Sequence, residues 1–173
     1  MSKTENAVYL IDSNILIQAH RKYYPFDVVP GFWNLLSELA HEGIVKSIDK
    51  VKIEVIDNSG DGDLLKDWCI ANLPEDFFID SSISIASYID ITTWANSGLH
   101  DYTSRALAKF LATDYADSWL TSMALFDAKY IIVTEEISAP DIKREIKIPE
   151  VCNTFGIRYL NTIELLRELQ VSI

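Results

Sequence analysis

Short apolar runs alternate along the chain with stretches whose apolar residues recur at helical spacing, a pattern typical of strands alternating with helices. The first run, Val8–Ile11, is apolar at every position and partly β-branched. Such a run predicts a strand buried on both faces, as in a parallel sheet. Residues 130–134 form the clearest later run of this kind. Shorter runs predict further strands at 44–48, 77–79 and 157–160.

The segments between these runs predict helices. Pro30 suits the first turn of one helix, and Gly43 and Gly156 suit the residue after a helix end. Alternating strands and helices indicate an α/β fold, a three-layer α/β/α sandwich around a mostly parallel sheet. Neither a repeat nor a linker interrupts the chain, so a single domain over 1–173 is expected. The predicted helices cover 15–19, 30–43, 49–57, 64–73, 82–96, 102–111, 114–128, 151–155 and 162–169.

Composition narrows the class of protein. Hydrophobic residues make up 49% of the chain, which indicates a folded rather than a disordered protein. No apolar stretch reaches the roughly 20 residues that a membrane-spanning helix needs, and residues 1–6 lack the apolar core of a secretory signal. Cys69 and Cys152 are far apart in sequence and do not suggest a disulfide framework or a zinc site. A reducing cytoplasm is the expected setting.

The formal net charge of −11 argues against a nucleic-acid binder that relies on a broad basic face. It leaves open an enzyme whose acidic residues surround a metal ion, because the cation neutralises them. An acidic surface that confers solubility or meets a basic partner is equally compatible with this charge.

Acidic residues follow two of the predicted strands. Asp12 comes directly after the first strand, and Glu135 and Glu136 follow the strand at 130–134. The carboxyl ends of parallel strands share one edge of a sheet, where α/β proteins bind their ligands. Asp12 alone is also explained as a turn or cap residue. Together with the second acidic strand end, it is better explained as a metal ligand.

Two further acids lie on predicted helices. Asp117 falls on the apolar stripe of its helix, where a carboxylate is costly unless it is paired or bound to a metal. An alternative explains the same residues equally well: Asp114 is the N-cap of the helix, and Asp117 is a favourable acid in its first turn. Glu54 lies beside the apolar stripe of another helix, and its local sequence favours a solvated face.

Several carboxylates without clustered His or Cys favour Mg²⁺ or Mn²⁺, which suit phosphodiester hydrolysis. Neighbouring donors would hold the substrate phosphates, although Lys143 and Arg144 are each also explained as part of a solvated basic loop. The candidate substrate-binding residues are Ser13, Asn14, Thr134, Lys143 and Arg144.

At these residues the chain resembles the PIN-domain superfamily of metal-dependent ribonucleases, which includes the VapC-type toxins. Residues 10–14, Leu-Ile-Asp-Ser-Asn, resemble the opening strand and turn of that family. Residues 116–124 resemble its Ala-Asp helix start, and 133–136 resemble a strand end that usually reads Val-Thr-x-Asp. Segments 23–33 and 147–152 more narrowly resemble a poorly characterised PIN-like subfamily.

The resemblance implies a catalytic and metal-binding quartet of Asp12, Glu54, Asp117 and Glu136. Glu136 departs from the usual Asp, and Glu135 competes for the role. The implied activity is a Mg²⁺/Mn²⁺-dependent endoribonuclease acting on RNA, as the toxin that an antitoxin protein regulates, and homodimers are common among such relatives. Two alternatives stand beside it: a PIN-like module that binds RNA or protein without catalysis, and a phosphotransfer receiver domain. The receiver is disfavoured because it usually shows paired early acids and a late Lys.

The segment 20–30 combines basic and aromatic residues, among them Tyr23, Tyr24 and Phe26. An interface and local packing explain this segment equally well. For the apolar stripe of the following helix, which includes Phe32 and Trp33, packing in the core is expected.

Overall fold

The apolar runs form the strands of one sheet in the computed structural model, which describes residues 7–173. The sheet has five strands within these residues, in the order β3-β2-β1-β4-β5, and every neighbouring pair is parallel. The predicted α/β sandwich is therefore confirmed. The strands are β1 (Val8–Ile11), β2 (Val45–Ile48), β3 (Phe78–Ile79), β4 (Tyr130–Val133) and β5 (Tyr159–Leu160).

Helices connect the strands and cover both faces of the sheet. Two of them run on into wider π turns, at Ala19–Tyr23 and Ile53–Asp57, and a 3₁₀ turn at Ser81–Ser84 leads into another. The helices are α1 (Ser13–Gln18), α2 (Pro30–His41), α3 (Asp49–Lys52), α4 (Leu64–Asn72), α5 (Ile85–Ala95), α6 (Ser104–Phe110), α7 (Ala116–Phe126), α8 (Ile148–Phe155) and α9 (Thr162–Glu168).

β1 and β4 lie side by side at the middle of the sheet, and their pairing sets the position of the acidic strand ends. Ile11 stands opposite Val133, and the N–H of Asp12 donates to the Val133 carbonyl at 3.1 Å. The chain leaves β1 toward β2 on one side and returns through β4 on the other. Such a reversal opens a crevice at the carboxyl ends of the two strands.

α7 packs against β2 and β4 and is buried along most of its length. Its buried hydroxyls donate back to the helix backbone, Thr121 to the Asp117 carbonyl at 2.8 Å and Ser122 to the Ser118 carbonyl at 2.5 Å. Because these polar groups are satisfied within the helix, they can face the sheet without an unpaired donor. The small side chains let α7 lie close to the strands.

A second, smaller apolar cluster lies away from the sheet, between α5, α6 and α8. Ile91, Phe110 and Val151 form its centre, and Ile146 joins it from the loop before α8. This cluster fixes α8 and the loop at 134–147 relative to α5.

Five predicted helix starts differ from the structure by two or three residues, those of α1, α5, α6, α7 and α8. α8 begins at Ile148, three residues before the predicted start, because Pro149 fits the first turn and the Glu136 carboxylate accepts the Ile148 N–H at 2.8 Å. α7 begins after Tyr115, which makes no side-chain cap. The alternative in which Asp114 caps this helix is therefore wrong.

The aromatic residues of segment 20–30 are divided between packing and exposure. Tyr24 stacks on Phe32 with ring centroids 4.3 Å apart, and Phe26 lies 4.4 Å from Trp33. Tyr23 remains 49% exposed. Local packing thus explains Tyr24 and Phe26, while the interface interpretation applies only to Tyr23.

No helix within residues 7–173 is long and apolar enough to cross a membrane. The expectation drawn from residues 1–6 concerns a segment outside the described residues. Cys69 and Cys152 are both buried and unpaired, as expected from their separation in sequence.

Candidate metal centre

Asp12 is a carboxylate buried at the crevice between β1 and β4, and only 1% of its surface is exposed. Its Oδ1 accepts from the Asn14 N–H at 3.4 Å and from Ser13 Oγ at 3.3 Å, which makes it the N-cap of α1. Its Oδ2 accepts from Thr134 Oγ1 at 3.3 Å, across the gap to β4. All three contacts are longer than typical hydrogen bonds to a carboxylate. The charge of Asp12 is therefore only weakly compensated by its neighbours.

The predicted substrate donors Ser13 and Thr134 are themselves buried, 4% and 2% exposed. Their hydroxyls point toward Asp12 and position its two oxygens. Asn14 contributes its backbone N–H to the same carboxylate. A role for these residues in contacting a substrate stays a prediction.

Asp117 lies in the first turn of α7 and is held by its neighbour Tyr115. The Tyr115 Oη donates to Asp117 Oδ2 at 2.5 Å. Burial and the Asp117 charge both raise the pKa of Tyr115, so the phenol stays protonated and remains a donor. Sequence reasoning missed Tyr115, because nothing in its position before Ala116 marks it as a contact of the acidic residue.

The two acids after β4 face different partners. Glu135 faces α9: its Oε1 accepts from the Thr162 N–H at 3.0 Å and from Thr162 Oγ1 at 2.6 Å. Glu136 turns the other way, toward α8 and the charge of Asp12. The alternation of side chains along extended backbone accounts for this division. Glu136 is therefore the acid that joins Asp12.

Glu54 lies half-buried in the π turn that follows α3. Its negative charge raises the pKa of both Asp12 and Asp117. The charge of Glu54 therefore acts on the carboxylates of the crevice, although its local sequence favours a solvated helix face.

The four acids act on one another as like charges. Burial first, and then the neighbouring acids, raise the pKa of Asp12 to about 6 and that of Asp117 well above its ordinary value. Burial and the Asp12 charge also raise the pKa of Glu136. None of the ion pairs within residues 7–173 involves these acids. The crevice is a site of uncompensated negative charge, which a cation would relieve.

The charges of the four acids affect one another's pKa values, but within residues 7–173 their side chains do not form a complete set of metal ligands. Within residues 7–173, no three Asp, Glu, His or Cys side chains are already grouped as cation ligands. The four acids offer carboxylate oxygens, and this donor chemistry fits Mg²⁺ or Mn²⁺. Mg²⁺ commonly retains several waters and needs only one or two carboxylates, so a complete protein cage is not required.

The basic residues of the loop before α8 point to different places. Lys143 places its Nζ 5.4 Å from the centroid of the Tyr102 ring, and Arg144 is exposed. The sequence pattern assigns no role to Lys147. Its charge lowers the pKa of Glu136, although burial raises that pKa by more. Lys147 is therefore the loop cation whose charge is felt at the acidic crevice.

Comparison with known proteins gives one family. No curated protein matches the chain. No solved structure matches it either. The family described as "Domain of unknown function (DUF4411)" matches residues 9–173, which include β1 from its second residue, the acidic crevice and helix α9. The chain therefore belongs to the DUF4411 family.

Proposed function

We propose that this protein is a Mg²⁺/Mn²⁺-dependent endoribonuclease with a PIN-like site, acting in the cytoplasm as the toxin of a toxin–antitoxin pair. The proposal is supported most by four carboxylates whose charges affect one another's pKa values at the carboxyl edge of a parallel sheet. They are Asp12, Glu54, Asp117 and Glu136. The proposed reaction, cleavage of RNA, is inferred from the resemblance of the surrounding sequence motifs to PIN domains. The acidic surface favours a basic antitoxin segment as the protein partner.

In this proposal Asp12 and Asp117 are the principal ligands, since both are fixed by hydrogen bonds and their pKa values are raised most clearly. A bound Mg²⁺ or Mn²⁺ would supply an activated water and would neutralise the charge of the phosphate under attack. Glu54 and Glu136 complete the set or orient that water. Lys147 offers a positive charge to the substrate phosphate beside Glu136.

The decisive experiment measures cleavage and metal binding side by side. Single-stranded and structured RNA should be cut in the presence of Mn²⁺, and EDTA should abolish the cutting. Mn²⁺ should also stabilise the fold, by roughly 2.7 kcal/mol at a concentration 100 times its dissociation constant. Calorimetry that detects no Mn²⁺ binding at millimolar concentration would sink the proposal, whatever activity the preparation shows.

The neighbouring residues Glu135 and Glu136 give a matched pair of variants. Glu136→Gln should weaken Mn²⁺ binding by about 10- to 100-fold, because it removes a charge from the crevice. Glu135→Gln should leave Mn²⁺ binding unchanged and lower the free energy of unfolding by about 1 kcal/mol, because its contacts are with the N-terminus of α9. Calorimetry and urea denaturation measure the two effects separately. Equal losses of Mn²⁺ affinity in both variants would contradict the assignment of Glu136.

A non-catalytic PIN-like module remains the second candidate, and one contact favours it. Glu136 Oε2 already accepts the Ile148 N–H, which reduces its freedom to bind a cation. Such a module would bind RNA or a protein partner without carboxylate-dependent uptake of Mn²⁺. The calorimetric experiment therefore separates the two candidates directly.

A further inference from the structure

A cleft of about 260 Å³ lies beside the acidic crevice, between α5, α8 and the loop that joins β4 to α8. The loop residue Ser138 and the helix residue Glu150 both line it. Ser138 is two residues from Glu136, so their Cα atoms are at most about 7 Å apart. A ligand in the cleft is therefore close to the proposed metal centre. The volume of the cleft suits a group the size of one nucleobase.

Aromatic rings form one wall of this cleft. The Trp94 ring lies 4.7 Å from the His100 ring and 6.2 Å from the Tyr102 ring, measured between centroids. Lys143 holds its Nζ over the Tyr102 ring at 5.4 Å. Rings of this kind stack on the planar face of a base, and a lysine at their margin attracts a phosphate.

A carboxylate with one unpartnered oxygen also lines the cleft. Glu150 Oε1 accepts from Ser138 Oγ at 2.6 Å and from the Ala139 N–H at 2.8 Å, which fixes the orientation of the carboxylate. Its Oε2 is buried and has no hydrogen-bond partner within residues 7–173, and the same is true of His100 Nε2. A buried acceptor without a donor is costly, and a ligand that brings an N–H group would remove that cost.

We propose that this cleft binds one nucleotide of an RNA strand whose base is cytosine or adenine, the two bases that carry an amino group at N4 or N6 of the pairing edge, where uracil and guanine have a carbonyl oxygen. The base lies against the aromatic wall, its amino group donates to Glu150 Oε2, and its phosphate lies toward Lys143. This assignment rests on the proposed ribonuclease function and gives that function a base preference. Uracil and hypoxanthine place a carbonyl oxygen where the amino group would be, and two acceptors would then face each other.

The charges of the cleft disfavour an amine or a basic peptide as its occupant. Lys143 already covers the Tyr102 ring with a positive charge and would repel a second cation there. A nucleotide satisfies the two opposite charges together, with its amino group at Glu150 and its phosphate at Lys143.

Matched pairs of mononucleotides test the proposal in EDTA, where no metal-dependent step takes place. Calorimetry should show that cytidine monophosphate binds about tenfold more tightly than uridine monophosphate, and adenosine monophosphate about tenfold more tightly than inosine monophosphate. Glu150→Gln keeps an oxygen for the Ser138 and Ala139 donors and presents an N–H in place of Oε2. Its preference should therefore reverse toward uridine and inosine monophosphates. A wild-type ratio near one, or a ratio that Glu150→Gln leaves unchanged, overturns the proposal.

Three controls keep the result interpretable. Lys143→Gln should weaken all four nucleotides alike without changing their ratios, and a change in the ratios would contradict the roles assigned to Lys143 and Glu150. The trinucleotide UCU should bind at least as tightly as cytidine monophosphate, and its exclusion would overturn an RNA strand as the ligand. Asp127→Asn, at the end of α7 away from the crevice, should leave these affinities unchanged. Base preference without cleavage then refutes only the ribonuclease, and cleavage without base preference refutes only the cleft.

Discussion

Asp12→Asn should lower Mn²⁺-dependent RNA cleavage by at least about 100-fold while leaving the fold intact. Asn retains an oxygen that can accept the Asn14 N–H and remains a good N-cap for α1. The variant removes the Asp12 charge from the crevice and with it one of the two proposed principal ligands. Initial cleavage rates of a labelled RNA in Mn²⁺ measure the effect. A variant that retained full cleavage would refute Asp12 as a metal ligand.

The same variant should make the metal-free protein more stable at high pH. The pKa of Asp12 is raised from 3.8 to about 6 in the folded protein, so its ionised form opposes folding. The gain for Asn is therefore nearly complete above pH 6, on the order of 3 kcal/mol, and disappears as the pH falls toward 4. Urea denaturation in EDTA at pH 8 and pH 4.5 measures it. A lower stability of the variant at pH 8 would contradict the cost of burying the Asp12 charge beside Glu54.

Asp127→Asn is the matched control for both measurements. Asp127 follows α7 at the end away from the crevice and forms an ion pair with Lys129 at 3.1 Å. Its pKa is lowered by the Lys129 N–H and by the Lys129 charge, so ionisation favours the folded state there. The control should keep full cleavage and should show no stability gain at pH 8.

Trp33→Ala should lower the free energy of unfolding by about 3–5 kcal/mol. Trp33 is 2% exposed and lies 4.7 Å from the Trp68 ring and 4.4 Å from the Phe26 ring. Its Nε1 donates to the Tyr24 carbonyl at 2.6 Å, so truncation leaves both a cavity and an unpaired acceptor. Urea denaturation followed by circular dichroism measures the loss.

Trp33→Phe separates the two contributions. It keeps most of the ring packing and removes only the donor to Tyr24, so it should cost about 1–3 kcal/mol. A loss below 1 kcal/mol in Trp33→Ala would show that segment 20–30 does not depend on this ring. Such a result would favour the interpretation of this segment as an exposed interface.

The strands were predictable from sequence because burial on both faces requires apolar residues at consecutive positions. Val8–Ile11 and residues 130–134 meet that requirement, and their parallel pairing follows from the helices between them. The start of α8 was not predictable. It depends on a contact between Glu136 and the Ile148 N–H, and a carboxylate that caps a helix from 12 residues away leaves no local pattern.

The acidic residues of the site were predictable to different extents. Asp12 and Glu136 could be placed at one edge from the strand pattern alone. Glu54 required the family resemblance, because its approach to the crevice depends on how the turn after α3 packs. The choice between Glu135 and Glu136 and the contact of Tyr115 with Asp117 depend on side-chain directions, which only the structure gives.

The contact between Thr134 and Asp12 joins residues 122 positions apart in sequence. A nascent chain that has emerged only as far as α7 already contains Asp12, Glu54 and Asp117, but it lacks the strand that closes the crevice around them. β1 can pair with β4 only after residues 130–133 have been synthesised. The crevice of the proposed nuclease can therefore close only after β4 has left the ribosome, later than three of its four acids.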